Sequence, residues 1–148
     1  MSIENEAIAE NFRKAIEALN TKDIDALARR NPTRIGEYGY RTSAWRDYTH
    51  AVDTDAVRES ITKFFNSLEY YNVSIDELHT WSEGATGIAW GNYIEEFQHK
   101  GRPPEHARVR VTLTYIKVGE EWTPIMRHGD AQPFDENGIY PRELTKVG

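Results

Sequence analysis

The sequence predicts an α+β fold in which N-terminal helices pack on a strongly curved, mixed or antiparallel sheet. Two observations carry this expectation. Apolar residues recur at three- and four-residue steps through much of residues 3–68, and they alternate with polar residues through much of residues 71–128. Helices first and strands last put the helices on one face of the sheet. At 148 residues the chain can bury roughly 70% of the surface its unfolded form would expose, and one domain spanning residues 1–148 is the economical expectation.

The first helix runs from Ile3 to Asn20, with Ile3, Ala7, Ile8, Phe12, Ala15, Ile16 and Leu19 on one face, Ser2 placed to cap it and Glu4 and Glu6 in its first turn. Asn20-Thr21 breaks it. Thr21 is expected to cap a short second helix through Asp23, Ile24, Leu27 and Ala28, which Asn31-Pro32 ends because a residue before proline avoids the helical region. Residues 33–52 mix glycine with aromatics and are expected to hold a short strand followed by a loop. Asp53-Thr54-Asp55 caps a third helix whose apolar face is Ala56, Val57, Ile61, Phe64, Phe65 and Leu68.

Four alternating segments follow, Tyr71 to Trp81, Thr86 to Gln98, Arg108 to Lys117 and Trp122 to His128, joined by the turn signals Glu83-Gly84, His99 to Pro104 and Val118-Gly119. In the third segment Val109, Val111, Leu113 and Tyr115 should face the helices and Arg108, Arg110, Thr112 and Thr114 the other way. In the second, neither Ile88, Trp90, Asn92 and Ile94 nor Ala89, Gly91, Tyr93, Glu95 and Phe97 is wholly polar. A strand covered on both sides follows, and since three helices cannot cover both faces, the outer face is expected to meet a second copy of the chain.

The composition narrows the functional classes. With 39% hydrophobic and 28% charged residues and a net charge of −6, the profile is that of a soluble globular protein, lacking the basic stripe that nucleic acid or an anionic membrane requires. Arg29-Arg30 and Arg108/Arg110 read as solvated or salt-bridged surface. The absence of cysteine removes thiolate chemistry and fits a cytoplasmic location. No stretch has the length and apolarity of a membrane span, and there is neither metal-ligand spacing nor a glycine-rich cofactor loop, so no cofactor and no metal are expected.

The Leu19-Asn20-Thr21-Lys22-Asp23 corner, the aromatic segment after the second helix, the third helix and the ending Arg110-Val111-Thr112, Trp122, His128-Gly129-Asp130 together resemble the SnoaL-like branch of the nuclear transport factor 2-like superfamily. The resemblance spans nearly the whole chain. It implies a cone whose sheet wraps around the first and third helices, an apolar cavity holding a small-molecule ligand, and a homodimer through the outer sheet face. Members of this superfamily include isomerases, dehydratases, cyclases, epoxide hydrolases and non-catalytic domains, so the fold does not fix the activity. Where ketosteroid isomerase members carry the two donors of their oxyanion hole, matching positions here hold Ala15 and Leu113. That excludes their particular mechanism, although Glu37, Tyr38 and Tyr40 lie near the loop position of their base. For a scytalone-type dehydratase the candidates are His79, His128, Tyr38 and Tyr40.

Three groups of residues carry the candidate chemistry. Glu95, beside Tyr93 and Phe97, and Arg127 become polar groups inside an aromatic cup if register brings their faces together. The carboxylate then serves as a general base and the guanidinium binds an enolate or carboxylate; the alternative is an ion pair without catalysis. His128 and Asp130 share a side of the last strand and form either a proton-transfer pair or a structural hydrogen-bonding pair at a subunit contact, the second being preferred. Tyr38, Tyr40, Trp45 and Asp47 belong to the loop expected to close the mouth, with Tyr40 and Asp47 as donor and base, or alternatively as core packing and a turn. Tyr38, Trp45, Tyr93, Phe97 and Leu113 are the candidate ligand contacts. Trp90 and Trp122 are expected to pack, and His50, His99 and His106 to be solvated.

Overall fold

The computed structural model describes residues 2–30, 34–39, 43–47, 55–135 and 138–139, with side chains described for residues 2–30 and 55–132. The elements are α1 (Ile3–Thr21), α2 (Ile24–Arg29), β1 (Arg34–Gly39), β2 (Ser43–Asp47), α3 (Asp55–Asn66), β3 (Leu68–Glu83), β4 (Thr86–His99), β5 (Glu105–Val118), β6 (Glu121–Asp135) and β7 (Gly138–Ile139). The strands form one sheet in the order β2-β1-β6-β5-β4-β3, with β7 paired to β6. Among these pairings β1 lies parallel to β6 and the others are antiparallel, so the sheet is mixed.

Capping sets the helix boundaries. The Ser2 side chain accepts from the Asn5 amide, and Lys22 stops α1 in the left-handed region, its amide donating back to the carbonyls of Ala18 and Leu19. The second helix is capped by Asp23, which accepts from the Ala26 amide, and not by Thr21, whose hydroxyl donates to the Glu17 carbonyl. Thr21 lies in the last turn of α1, whereas Asp23 stands just before α2 in the extended backbone that a cap requires. Leu68 opens β3 and is not part of α3. Residues 33–52 contain two antiparallel strands, with Gly36 opposite Trp45, where one strand and a loop were expected. β1 is extended because it continues the main sheet beside β6, a long-range pairing invisible to local periodicity.

The four long strands outrun their sequence boundaries at the ends where polar residues interrupt the alternation. Their inner faces hold the core: Ala89, Tyr93, Val109, Val111 and Tyr115 pack against Ile8, Phe12 and Ile16 of α1 and Phe65 of α3. Ile8 and Phe12 are essentially inaccessible, and full burial of such a side chain contributes about 1.5–3 kcal/mol. Gly87 provides the close approach, since a Cβ there would stand 2.3 Å from Ile8 Cδ1. The sheet bends where its register shifts between Ile75 and Glu77, an extra residue in β3. Gly91 faces this bulge at φ +156°, and a Cβ on it would lie 1.9 Å from the Glu77 carbonyl oxygen.

Polar ties fasten α1 at both ends. Trp122 Nε1 donates to Glu4 Oε2 at 3.0 Å, Lys117 Nζ bonds the same carboxylate, and Asn11 Nδ2 donates to the Trp122 carbonyl at 2.9 Å. At the other end Asn20 clasps the edge-strand residue Val73, donating to its carbonyl at 2.7 Å and accepting from its amide at 2.8 Å. Near the end of β3, Thr80 donates to the Asn5 carbonyl. Among the described residues no helix is long and apolar enough to cross a membrane. Asn20→Ala is expected to lower stability by about 2 kcal/mol, because it leaves two backbone groups of Val73 without protein partners, whereas exposed Thr21→Ala changes little; urea unfolding of both variants measures the difference.

Candidate functional site

Alternation along β4 and β6 decides which candidate side chains meet. Glu95 pairs across with Val73 of β3, Tyr93 with Val109 of β5, and Arg127 of β6 with Leu113. All five candidates Tyr93, Glu95, Phe97, Leu113 and Arg127 line one cavity of about 580 Å³. Its wall is completed among the described residues by Phe12, Ala15, Ile16 and Leu19 of α1, Leu27 and Arg30 of α2, Ser60, Ile61, Phe64 and Phe65 of α3, and Tyr71, His99 and Val111 of the sheet. This is an apolar chamber with a few polar groups, the usual composition of a small-molecule site.

Two hydrogen bonds organise those polar groups. The Tyr71 hydroxyl donates to Glu95 Oε2, and Arg127 Nη2 donates to the Tyr93 hydroxyl at 2.9 Å. Burial pushes the Tyr71 phenol well above its ordinary pKa of 10.0, the negative charge of Glu95 adds to the rise, and the Arg127 guanidinium opposes it. Tyr71, Tyr93, Glu95 and Arg127 therefore act as one electrostatic cluster. Arg127 reaches Tyr93 by lying along the sheet past Gly129, where a Cβ would come within 3.5 Å of both terminal guanidinium nitrogens. Around the cluster, Phe64 meets Tyr71 edge-on with ring centres 5.5 Å apart, and Phe97 lies 6.1 Å from Tyr71 and 5.5 Å from His99.

His128 and Asp130 stand on the opposite face of the sheet from this chamber. Alternation along β6 sends Arg127 inward and His128 and Asp130 outward, where Thr112 and Arg110 are their cross-strand neighbours. There they line a shallow depression of about 350 Å³ with Glu77, Trp90 and Asn92. Asp130 is held by Arg110 through Nε at 2.9 Å and Nη2 at 2.5 Å, a two-pronged guanidinium pair. Trp90, expected as a packing residue, is not buried. It is 41% exposed on the outer face, stacked on His79 at 5.5 Å, while Trp81 is 46% exposed and Trp122 is buried.

Other candidates lie elsewhere. Tyr40 and His50 fall outside the described residues. Tyr38 is on β1, its Cα opposite Asp130, and Trp45 and Asp47 are on β2 and not in a loop; these three are described through the backbone only. His99 ends β4 and lines the chamber, accompanied by Ser67 Oγ at 3.2 Å from Nδ1, so it is not a solvated loop residue. Arg30, read from the sequence as surface, also lines the chamber. Tyr71 went unnoticed because only pairing between β3 and β4 brings it to Glu95; its signal was its shared parity with inward-facing Val73. Among the described residues no three His, Asp or Glu side chains gather as metal ligands.

The solved structures of several proteins resemble this one. A ketosteroid isomerase-like protein from Erwinia carotovora atroseptica is 14% identical, the match covering 88% of this chain and 98% of that one with a TM-score of 0.65. A nuclear transport factor 2-like protein of unknown function from Pseudomonas putida is 14% identical over 95% of each chain, with a TM-score of 0.63. A candidate dehydratase of the nuclear transport factor 2-like family from Streptomyces avermitilis is 14% identical over 86% of this chain and 94% of its own, with a TM-score of 0.62. No protein-family model and no curated protein matches the chain. These likenesses show the fold, the nuclear transport factor 2-like cone of N-terminal helices on a curved sheet.

Burial also raises the Tyr115 phenol, against the charge of Arg30. Below pH about 10 folded and unfolded chains both keep these two phenolic protons. Above it the unfolded chain sheds them first, so stability falls as pH rises from about 10 towards the folded-state values. An alkaline titration followed by tyrosinate absorbance should show a late-ionising class that shrinks in Tyr71→Phe. Ionisation of every tyrosine in one step near pH 10 would contradict this.

Proposed function

We propose that the chamber binds a small, mainly apolar oxygenated molecule and moves a proton on it without a cofactor. The observation that carries this reading is that Glu95 and Arg127, a carboxylate and a guanidinium, open into one apolar chamber. Glu95 takes a proton from a carbon next to a carbonyl group, and the electron pair left behind moves onto the carbonyl oxygen. Arg127 stabilises the enolate oxygen so formed, a charge that grows only as the proton leaves. Returning the proton from Glu95 to another carbon completes an isomerisation; if the enolate's electron pair instead expels a β-hydroxyl, Glu95 gives its proton to the departing oxygen and water leaves, which completes a dehydration. The Tyr71 hydroxyl steadies the carboxylate in its charged, proton-accepting form.

A second reading is ligand capture without turnover, in the manner of non-catalytic members of the SnoaL-like branch. It is supported by Ala15 and Leu113, which line the chamber where the resemblance to ketosteroid isomerases would require hydrogen-bond donors. In both readings the exposed Trp81 and Trp90 make the outer face the surface on which a second copy would pair, with His128 and Asp130 at that contact. His128 and Asp130 have no part in the proposed proton transfer.

Deuterium exchange at the α-carbon of a panel of cyclic and aryl ketones, followed by nuclear magnetic resonance in heavy water, distinguishes the readings. Exchange by the wild-type chain should fall about a hundredfold or more in Glu95→Gln, with ligand affinity retained, and should be unchanged in His128→Ala. Saturable ketone binding with no exchange above the buffer rate would overturn the catalytic reading in favour of capture.

A further inference from the structure

Arg30 stands at the end of α2, its Nη1 donating to the Ala26 carbonyl at 3.1 Å. Its Nε is buried and has no hydrogen-bond partner, and among the described residues no carboxylate pairs with it. A buried guanidinium donor left bare is costly, so such groups usually serve a ligand or a water molecule. Arg30 lies in the wall shared by the apolar chamber and a neighbouring cavity of about 470 Å³ lined by Glu10, Glu120 and Glu121. Lys14 and Arg29 line that second cavity as well and offset its acids. The apolar chamber is the side whose lining can also hold an apolar body.

The position of Arg30 along the cone sets the size of what it meets. Its charge is felt at the Tyr115 hydroxyl, whereas Tyr93 and Glu95 face Val109 and Ala107. Tyr115 and Val109 are about 20 Å apart along β5. Arg30 therefore lies towards the Tyr115 end of β5 and Tyr93 and Glu95 towards the Val109 end, in a wall that also holds Phe12, Ile16, Leu27 and Leu113. We infer that the chamber takes an elongated amphipathic monoanion, a carboxylic acid whose carboxylate pairs with Arg30 and whose apolar body runs towards Glu95 and Arg127. This rests on the chamber being the ligand site proposed above, and it names the class of ligand.

The test compares phenylbutyrate with phenylbutanol, matched in shape and differing in charge, by titration calorimetry on the full chain. The acid should bind about tenfold more tightly than the alcohol. Arg30→Met should erase that advantage while leaving phenylbutanol affinity unchanged, and Arg30→Lys, which keeps the charge, should preserve most of it. Equal binding of acid and alcohol to the wild-type chain would overturn the inference. So would an advantage that survives Arg30→Met and disappears in Arg127→Met, which would move the carboxylate to the other end. Because the readout is binding, an absence of ketone exchange would sink the catalytic reading and leave this one standing.

Discussion

The structure depends on holding α1 across the concave face of a bent sheet. Burial of Ile8, Phe12 and Ile16 against the inner residues of β4 and β5 supplies the drive, but a flat sheet would meet a straight helix over only part of its length. The extra residue in β3 before Glu77, opposite a glycine that lets the two backbones approach, bends that strand and so breaks the flatness. Asn20 then satisfies an edge-strand peptide that would otherwise face the helix corner unpaired, and Glu4 and Asn11 fasten the other end to the β5–β6 hairpin. The chamber is the space that remains between a helix fixed in this way, α3 and the sheet.

The chemistry of that space follows from a two-residue period. Along β6 the order Arg127, His128, Gly129, Asp130 sends alternate residues to opposite faces, so one arginine enters the chamber while the histidine and aspartate beside it do not. A register slip of one residue would exchange the two sets. Gly129 matters because it lacks a side chain: a Cβ there would stand 2.8 Å from the Arg110 carbonyl oxygen on the neighbouring strand, with the Arg127 guanidinium at contact distance on the same side. The sequence His-Gly-Asp thus serves two faces, with the flanking residues facing the outer side and the glycine accommodating the inner one.

Much of the fold was legible because it is written in local periods. The three helices, the long strands and the inward set Val109, Val111, Leu113 and Tyr115 follow from counting residues, whereas the presence of Glu95 and Arg127 in one chamber depends on the register of β4, β5 and β6. What was lost depends on contacts between distant segments. β1 is a strand because β6 lies beside it, Tyr71 reaches Glu95 because of the β3–β4 register, and Arg30 turns into the chamber because α2 folds back after the Lys22 corner. Thr21, expected as the cap of α2, is taken up in the last turn of α1, and Asp23 caps α2 in its place. His128 and Asp130 were read correctly as neighbours on one face, but nothing local to β6 says which face is covered by helices.

The pairing of Tyr71 with Glu95 has a further consequence for how the chamber handles protons. Two acidic groups in contact do not ionise independently, because the charge of the first raises the cost of the second. Burial is nevertheless the leading reason that Tyr71 keeps its proton, with the charge of Glu95 next. Removing that charge leaves the larger cause in place, so the phenol stays protonated and remains a donor. A neutral glutamine at position 95 can still accept that donor through its amide oxygen. Loss of proton transfer in such a chain would therefore report on the carboxylate itself and not on a collapse of the phenol beside it.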